Sequence, residues 1–515
     1  MNILLATIPP MVAIIMLAVL QRSGLQTGLA TMAAAVAIAL AIPSFRLAPD
    51  TLLVAVAEGA ATSLTVLYVL FPALLLYQLQ WITGGIGVLA SGIGRLCPDR
   101  DVQVLLLVLG LAPFIESVSG FGVGTVVVIP MLAALGIDSL QAAILGLLGQ
   151  IAVPWGALAV GTTLGAELTK LNPNILGAHT ALLTAPLPVG FGLVALAISG
   201  GRKSVRRLWP AALAAGIVLA GGEWLFSQLP GVELAGALAS VPTIVLLAAW
   251  GHLVARRSSR AQETMEPGTT VSDRPEGTRG KETTNGQGEV ANPPRLRQAV
   301  APYAILTALL LISRLIVPLQ HWLQAQGVLT VSAIGLQLPL LYSPGFYIFL
   351  AAFTTVPLLG TGMIGFRTAS VRTLRQFTPG AVAIVSFLAA SQVMRASGMI
   401  TVLGTAAAAL GGNYSWIAPW LGALGGWLTG SNAGGNAMFA QLQREASARA
   451  GLPLNWLMAA QNGASSIATM VSPARTVLAA TTVGIVGKEG QIVRKVGPPV
   501  LAAVVVIMLL LVWVV

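Results

Sequence analysis

The sequence predicts an all-α polytopic membrane protein, with about 12 transmembrane helices plus two re-entrant hairpins in two inverted repeats. Three observations carry this expectation. Hydrophobic residues make up 56% of the 515-residue chain and charged residues only 9%, and the mean hydropathy of +0.85 is foreign to soluble globular domains. Apolar runs near the length needed to span a bilayer follow one another along the chain. Two further apolar stretches are instead interrupted by glycine-bearing polar tips, at 119–124 and 429–436.

The first span, 3–20, opens without a basic region or a convincing cleavage site, so it reads as a retained helix rather than a signal peptide. Spans at 24–42 and 55–79 follow, then a glycine-rich interfacial piece at 83–97. The first hairpin occupies 101–135. Its arms, 102–111 and 126–135, are each short for a full crossing, and a chain that enters and turns back fits both. Non-helical backbone at that depth survives only where protein or a water-filled cavity satisfies its amides, so the tip is expected to line a path. Next come a segment at 141–168, interrupted at Val153, Pro154, Trp155 and Gly156, and spans at 176–199, 208–229 and 232–254. Between 255 and 298 the apolar character gives way to Arg, Glu, Thr, Gly and Pro without periodicity, as expected of a disordered cytoplasmic linker. The second half supplies spans at 300–318, 344–362 and 379–398, a second hairpin at 415–450, a broken segment at 452–486 and a last span at 496–515. The organisation is thus an N-terminal repeat at 1–230, the first span of the second half at 231–254, the linker at 255–298 and the rest of the C-terminal repeat at 299–515.

The net charge of +11 would point to nucleic acid in a soluble protein. Here the basic residues sit in short connections between apolar spans, where they set orientation instead. The clusters Arg202, Lys203, Arg206 and Arg207; Arg367, Arg372 and Arg375; and Lys488, Arg494 and Lys495 all fall on the cytoplasmic side if both hairpins return to the face they entered. Full crossing by both arms gives the same parity, so charge leaves re-entrant and spanning arms open. The parity has the chain reach the first hairpin from the cytoplasm and the second from outside. In each half a tip is followed about thirty residues later by a glutamine, Gln150 or Gln461, in a segment broken by small residues and proline. Inverted repeats with interrupted helices meeting near the midplane are the architecture of secondary transporters.

The first tip places Glu116 in an apolar setting, where an unpaired charge costs several kcal/mol, so it is a candidate proton carrier. A structural ion pair or an N-terminal cap for the second arm would also account for it. Ser119, Gly120 and Gly122 follow it. In the second tip Ser431, Asn432, Gly434 and Asn436 replace charge with hydroxyls and amides, and helix N-termini there would offer free N–H groups to an anion. The broken segment beyond adds Asn462, Ser472 and one cation, Arg475. Together the parts suit a small carboxylate with a polar neighbour such as a hydroxyl. For any single glycine, close helix packing is the competing role. Glu58 and Glu167 lie near span ends and read as solvated or interfacial; Arg314 and Arg395 either snorkel outward or pair across helices. His179 reads as a hydrogen-bonded structural residue, and His252 and His321 lie at span ends or in a loop. The single cysteine, Cys97, excludes an internal disulfide and any thiolate-cluster metal site. No phosphate loop, metal cluster or nucleophile–base pair is evident, so neither an enzyme, a metal nor a cofactor is expected.

The chain resembles the bacterial lactate permeases over nearly its whole length. The resemblance rests on Pro98, Asp99 and Arg100; on Phe114, Ile115 and Glu116 through Gly120, Phe121 and Gly122; on Trp427 to Ser431 with Asn436 to Ala440; and on Met470 to Pro473 with Val483 to Glu489. It implies an inner-membrane symporter that moves lactate, or related 2-hydroxy acids such as glycolate, with a proton. Members of that family typically carry Asp where this chain has Asn432 and Lys where it has Thr469, so an acid and a base are absent as a pair, which leaves the local charge balance unchanged. They also carry hydroxyl residues where this chain has Ala433, Gly434 and Gly435, and Ala-Pro where it has Val123 and Gly124. Arg475 could restore a cation nearby, or face the cytoplasm. The leading expectation is proton-coupled import of a small monocarboxylate by alternating access. In it Ser119, Ser431, Asn432 and the tip glycines hold the anion, Gln150, Asn462 and Ser472 complete its polar contacts, and Glu116 carries the proton. The alternatives are the same scaffold moving another carboxylate or a sulfonate without a proton, and a membrane receptor that binds the anion without moving it. The expected partners are thus a small organic anion, a proton and the bilayer, with no nucleic acid.

Overall fold

The computed structural model describes residues 2–16, 20, 22–94, 97, 99–120, 122–229, 231–263, 294–331, 336–485 and 487–515. Its polarity is that of a protein solvated by lipid. Leu53, Met363, Ile364 and Trp513 are 70%, 76%, 85% and 83% exposed, while Gln150, Asn436, Gln443 and Asn462 are wholly enclosed. Among the described residues eight helices are long and apolar enough to cross a membrane. An apolar exterior around a polar interior is the arrangement a bilayer favours, because lipid offers a buried amide no hydrogen-bond partner.

In chain order the first part contains α1 (Asn2–Ile14), α2 (Gly24–Ala41), α3 (Pro49–Ile82) and α4 (Gly85–Gly94). Ser23 starts α2 with a reciprocal cap to Gln26. The first expected hairpin is α5 (Arg100–Leu105), a π-helical turn over Leu106–Leu111, α6 (Ala112–Ser119) and, after Gly120 and Gly122, α7 (Val123–Ala134). The first arm is therefore one nearly continuous helix over Arg100–Ser119, longer than the short arm expected. The wide π turn immediately precedes Pro113, whose missing N–H and ring would otherwise break the ladder. Arg100 Nη2 donates to the Gly136 carbonyl at 3.0 Å, so the two ends of this segment lie together.

After α8 (Ser139–Leu148) the chain turns through a tight 3₁₀ stretch at Gln150–Trp155 into α9 (Gly156–Thr169), where the sequence predicts an interruption. Helix α10 (Pro173–Thr184), capped by Asn172, and α11 (Leu187–Gln228) divide the expected span at 176–199, because Pro186 starts a new helix. The rest of that span and the next one, 208–229, are thus one helix, α11, kinked at Gly201, whose φ of 66° suits glycine. Helix α12 (Ala235–Glu263) runs on past its expected end through 255–263, residues rich in good helix formers. Most of the expected linker, 264–293, lies outside the described residues.

The second part begins with α13 (Leu296–Leu315) and α14 (Val317–Ala325), then a small antiparallel pair, β1 (Val328–Val331) and β2 (Leu336–Pro339), not anticipated from sequence. Helices α15 (Pro344–Leu358), α16 (Gly362–Ala396) and α17 (Met399–Ala408) follow, with α16 carrying the basic cluster at 367–375 on its first half. The second expected hairpin is α18 (Ala418–Thr429) and α19 (Asn432–Ala450), joined at Gly430 and Ser431. Then α20 (Leu454–Ala468), a 3₁₀ turn at Thr469–Val471, α21 (Pro473–Thr482) and α22 (Glu489–Val514) complete the chain.

Helices α2, α3, α15 and α16 pack into one group. Helices α6, α7, α9, α18, α19 and α20 pack into another, with α9 against α19 and α18 against both α19 and α20. Gly422 and Gly426 of α18 lie directly on Gln461 and Ser465 of α20, where a methyl group would collide with backbone. The close approach brings both glycine tips and both helix breaks into the same region.

Candidate functional site

Glu116, on the last turn of α6, is 1% exposed and fully engaged. The Gly122 N–H at the start of α7 donates to both of its carboxylate oxygens, at 3.2 and 3.1 Å. Gly122 has φ 83°, a conformation that favours glycine, and an added Cβ would overlap the guanidinium of Arg475. Gln150 Nε2 donates to Glu116 Oε2 at 3.2 Å. From the other half of the chain, Arg475 Nη2 reaches Glu116 Oε1 at 3.5 Å, Nη1 donates to Gln150 Oε1 at 3.0 Å and Nε donates to the Gly430 carbonyl at 3.2 Å. Arg475 thus faces inward and is buried. Glu116 is at once a cap for the second arm and half of a buried ion pair, so both structural roles open to it from sequence are filled together.

Local sequence explains these positions. Pro473 opens α21 and the Ser472 hydroxyl accepts the Arg475 N–H at 3.3 Å, which fixes the first turn and aims the arginine side chain at the first tip. Likewise Ser431 Oγ accepts the Gly434 N–H at 3.3 Å and starts α19. Asn432 then points inward, its Nδ2 donating to Asn462 Oδ1 at 2.8 Å. Asn436 Nδ2 donates to Asn462 Oδ1 and to the Gly161 carbonyl, each at 2.9 Å, leaving Asn436 Oδ1 buried without a partner. Asn462 Nδ2 closes the network on the Thr162 and Thr180 hydroxyls at 2.9 and 3.1 Å.

Between pair and network lies a cavity of about 20 Å³ lined by Glu116, Gly120, Gly161, Ser431, Asn432 and Arg475. It has room for about one water, too little for an organic anion. Of the expected residues Glu116, Gly120, Ser431, Asn432 and Arg475 line it; Gly122, Gln150 and Ser472 bond Glu116 or Arg475 behind them, and Asn436 and Asn462 bond one another and, through Asn462, Asn432. Gly434 packs on Thr429, its absent Cβ 2.7 Å from that side chain, so close packing explains it. The side chain of Ser119, and Phe121, lie outside the described residues. Gln461 donates to the Gly435 carbonyl and accepts from Gln443, apart from the pair.

Of the remaining charges, Arg395 pairs with Glu58 at 2.5 Å, and Arg314 pairs with Glu233 at 3.4 Å while stacking on Tyr342. Glu167 accepts from Thr65 at 3.2 Å. His179 bonds the Ile175 carbonyl and Asn455, a structural role. Sequence reasoning missed Gly161, Thr162 and Thr180, because small and hydroxyl residues in such helices ordinarily pack or bond their own helix, as Thr180 also does to Leu176. It also missed Glu223, which is buried in α11 with an unpartnered carboxylate oxygen. An acid inside an apolar run was the available signal.

A lipid-facing surface around a buried acid–base pair defines a multi-pass integral membrane protein with an ionic core. A family model described as L-lactate permease matches residues 2–340 and 330–515. The chain belongs to the L-lactate permease family, whose members are transporters rather than enzymes. It is 27% identical to the glycolate permease of Escherichia coli strain K12 over 96% of this chain and 92% of that one. It is 25% identical to the L-lactate permease of Bacillus subtilis strain 168, covering 96% and 93%, and 27% identical to that of Halalkalibacterium halodurans, covering 95% and 92%.

Proposed function

We propose that this chain imports a small 2-hydroxy monocarboxylate, lactate or glycolate, together with a proton across the bacterial inner membrane. The observation that carries the reading is the Glu116–Arg475 pair, one partner from each half of the chain, beside a cavity lined by both tips. A buried ion pair is neutral as a unit, and breaking it by removing one charge is costly. An incoming carboxylate can take Glu116's place at Arg475 only if Glu116 leaves as the neutral acid. Arg475⁺ with Glu116⁻ sums to zero, and so does Arg475⁺ with the substrate anion and protonated Glu116. One proton accompanies one anion because any other count leaves a net charge in the membrane interior.

In this reading Gln150, which bonds both partners, follows the exchange, while the Gly122 N–H that Glu116 accepts passes to the substrate carboxylate between Gly120 and Ser431. The substrate hydroxyl donates to Asn436 Oδ1, the buried acceptor left without a donor; Asn432 and Asn462 hold that side chain. Ser119 completes the first tip. The repeats are 1–230 and 231–515, inverted, with re-entrant hairpins meeting at the site and 255–298 on the cytoplasmic face. The Arg100–Gly136 contact, which joins the two ends of the first hairpin, supports entry and exit on one side. Alternating access then widens the small cavity toward each face in turn.

Uptake of labelled glycolate and lactate into proteoliposomes under an inward proton gradient tests this. Accumulation above the outside concentration, collapsed by a protonophore, is expected. Uptake indifferent to the gradient would point instead to uncoupled anion transport, and binding without flux to a receptor.

A further inference from the structure

Three cavities line up along α9. The widest, about 430 Å³, is open and bordered by Glu58, Glu167, Lys170, Arg395, Gln441 and Arg444. A second, about 170 Å³, shares Glu167 with it and ends at Leu158 and Val160. Val160 also lines the small central cavity beside Glu116 and Arg475. Lys170 and Gly156 are fourteen residues apart on one helix, so the series covers about 20 Å. Its wide end lies away from the basic cluster at Arg207. Lys170 adjoins the cap of α10, where Asn174 bonds the Leu229 carbonyl, and Leu229 ends the helix that carries Arg207 about 30 Å away.

The wide cavity is charged in a particular way. Three cations meet two carboxylates there, and one carboxylate, Glu58, is occupied by Arg395. Arg444 and Lys170 are exposed. Gln441, also at this wall, is 6% exposed and its amide oxygen has no hydrogen-bond partner. The surplus is positive, and a concave wall of low dielectric focuses it. At the inner end Leu158 and Ala159 both adopt left-handed backbone, φ 56° and 59°, which non-glycine residues avoid. Strain of this kind clusters at ligand clamps and switch regions, and here it falls between the second cavity and the central one.

We propose that the wide cavity is a first docking site for the transported monocarboxylate, held by Lys170 and Arg444, and that the anion passes from it along α9, past Val160, to Arg475. The proposal rests on the transport reading, and its test separates the two. Gln337 is an exposed lining residue, so Gln337→Cys places a reporter thiol at the cavity. The native Cys97 adds little background, since it is buried and burial pushes its thiol pKa up, away from the reactive thiolate. An anionic methanethiosulfonate should modify Gln337→Cys severalfold faster than a cationic one at low salt. Adding Lys170→Gln with Arg444→Gln should erase that preference, and for glycolate uptake the same two substitutions should raise KM about 3- to 10-fold with kcat unchanged. Val160→Trp should abolish uptake while retaining the labelling preference, which also reports that the protein is folded. Equal rates for both reagents, or an unchanged KM, overturns the docking site; retained uptake in Val160→Trp overturns the route. If wild type moves no hydroxy acid while the reagent preference stands, the transport reading fails and the anion site does not.

Discussion

Arg475 is held by three acceptors that point in different directions, the Glu116 carboxylate, the Gln150 amide and the Gly430 carbonyl. Only a planar guanidinium serves all three, so Arg475→Lys should keep the charge and lose the geometry. Its KM for the anion is expected to rise at least tenfold in proteoliposome uptake. Arg475→Gln leaves Glu116 buried and unpaired, which costs about 3–5 kcal/mol of stability unless the acid is neutral. The double variant Glu116→Gln with Arg475→Gln should regain most of that loss by thermal unfolding in detergent, and a sum of two independent losses would deny the coupling. Gly122→Ala meets two obstacles, a positive φ and the guanidinium itself. It should fold but transport poorly, since the new methyl displaces Arg475 from Glu116; wild-type uptake would contradict the geometry.

At the scale of elements, the tips depend on how closely α18 can lie on α20. Gly426 faces the Ser465 carbonyl with no space for a Cβ, so Gly426→Ala must push the helices apart. The expected cost is about 1–3 kcal/mol, read as a lower unfolding temperature, with uptake impaired in the protein that remains folded. Here the sequence was informative in some places and mute in others. The interruption near Val153–Gly156, the tips at Gly120 and Gly430, and the inward Glu116 were legible because glycine, proline and an acid disturb an apolar run in ways that lipid does not tolerate. The kinked union of two spans at Gly201 and the passage of the first arm through Pro113 were not. Both depend on a local turn, one left-handed and one π-helical, that lets a helix continue where residue type alone says it should stop. The strands at 328–331 and 336–339 were unmarked because four-residue strands carry almost no periodic signal.

For the whole molecule, the sequence predicted a lipid-solvated, all-α chain and two clusters of polar residues sharing one anion site, but not the ion pair that joins them. Glu116 and Arg475 are 359 residues apart, and no spacing rule relates them. Asn432 and Thr469 are buried and uncharged, and the charge pair of the site is Glu116 with Arg475, whose side chain turns inward. Neutrality of that pair is what ties anion to proton in the proposed cycle. The most direct test is to count protons taken up from a weakly buffered, dye-containing solution when glycolate binds the purified protein. The account predicts about one proton per anion in the wild type and none in Glu116→Gln, which should still exchange glycolate by counterflow. Anion binding without proton uptake in the wild type, or unchanged uptake in Glu116→Gln, would contradict it.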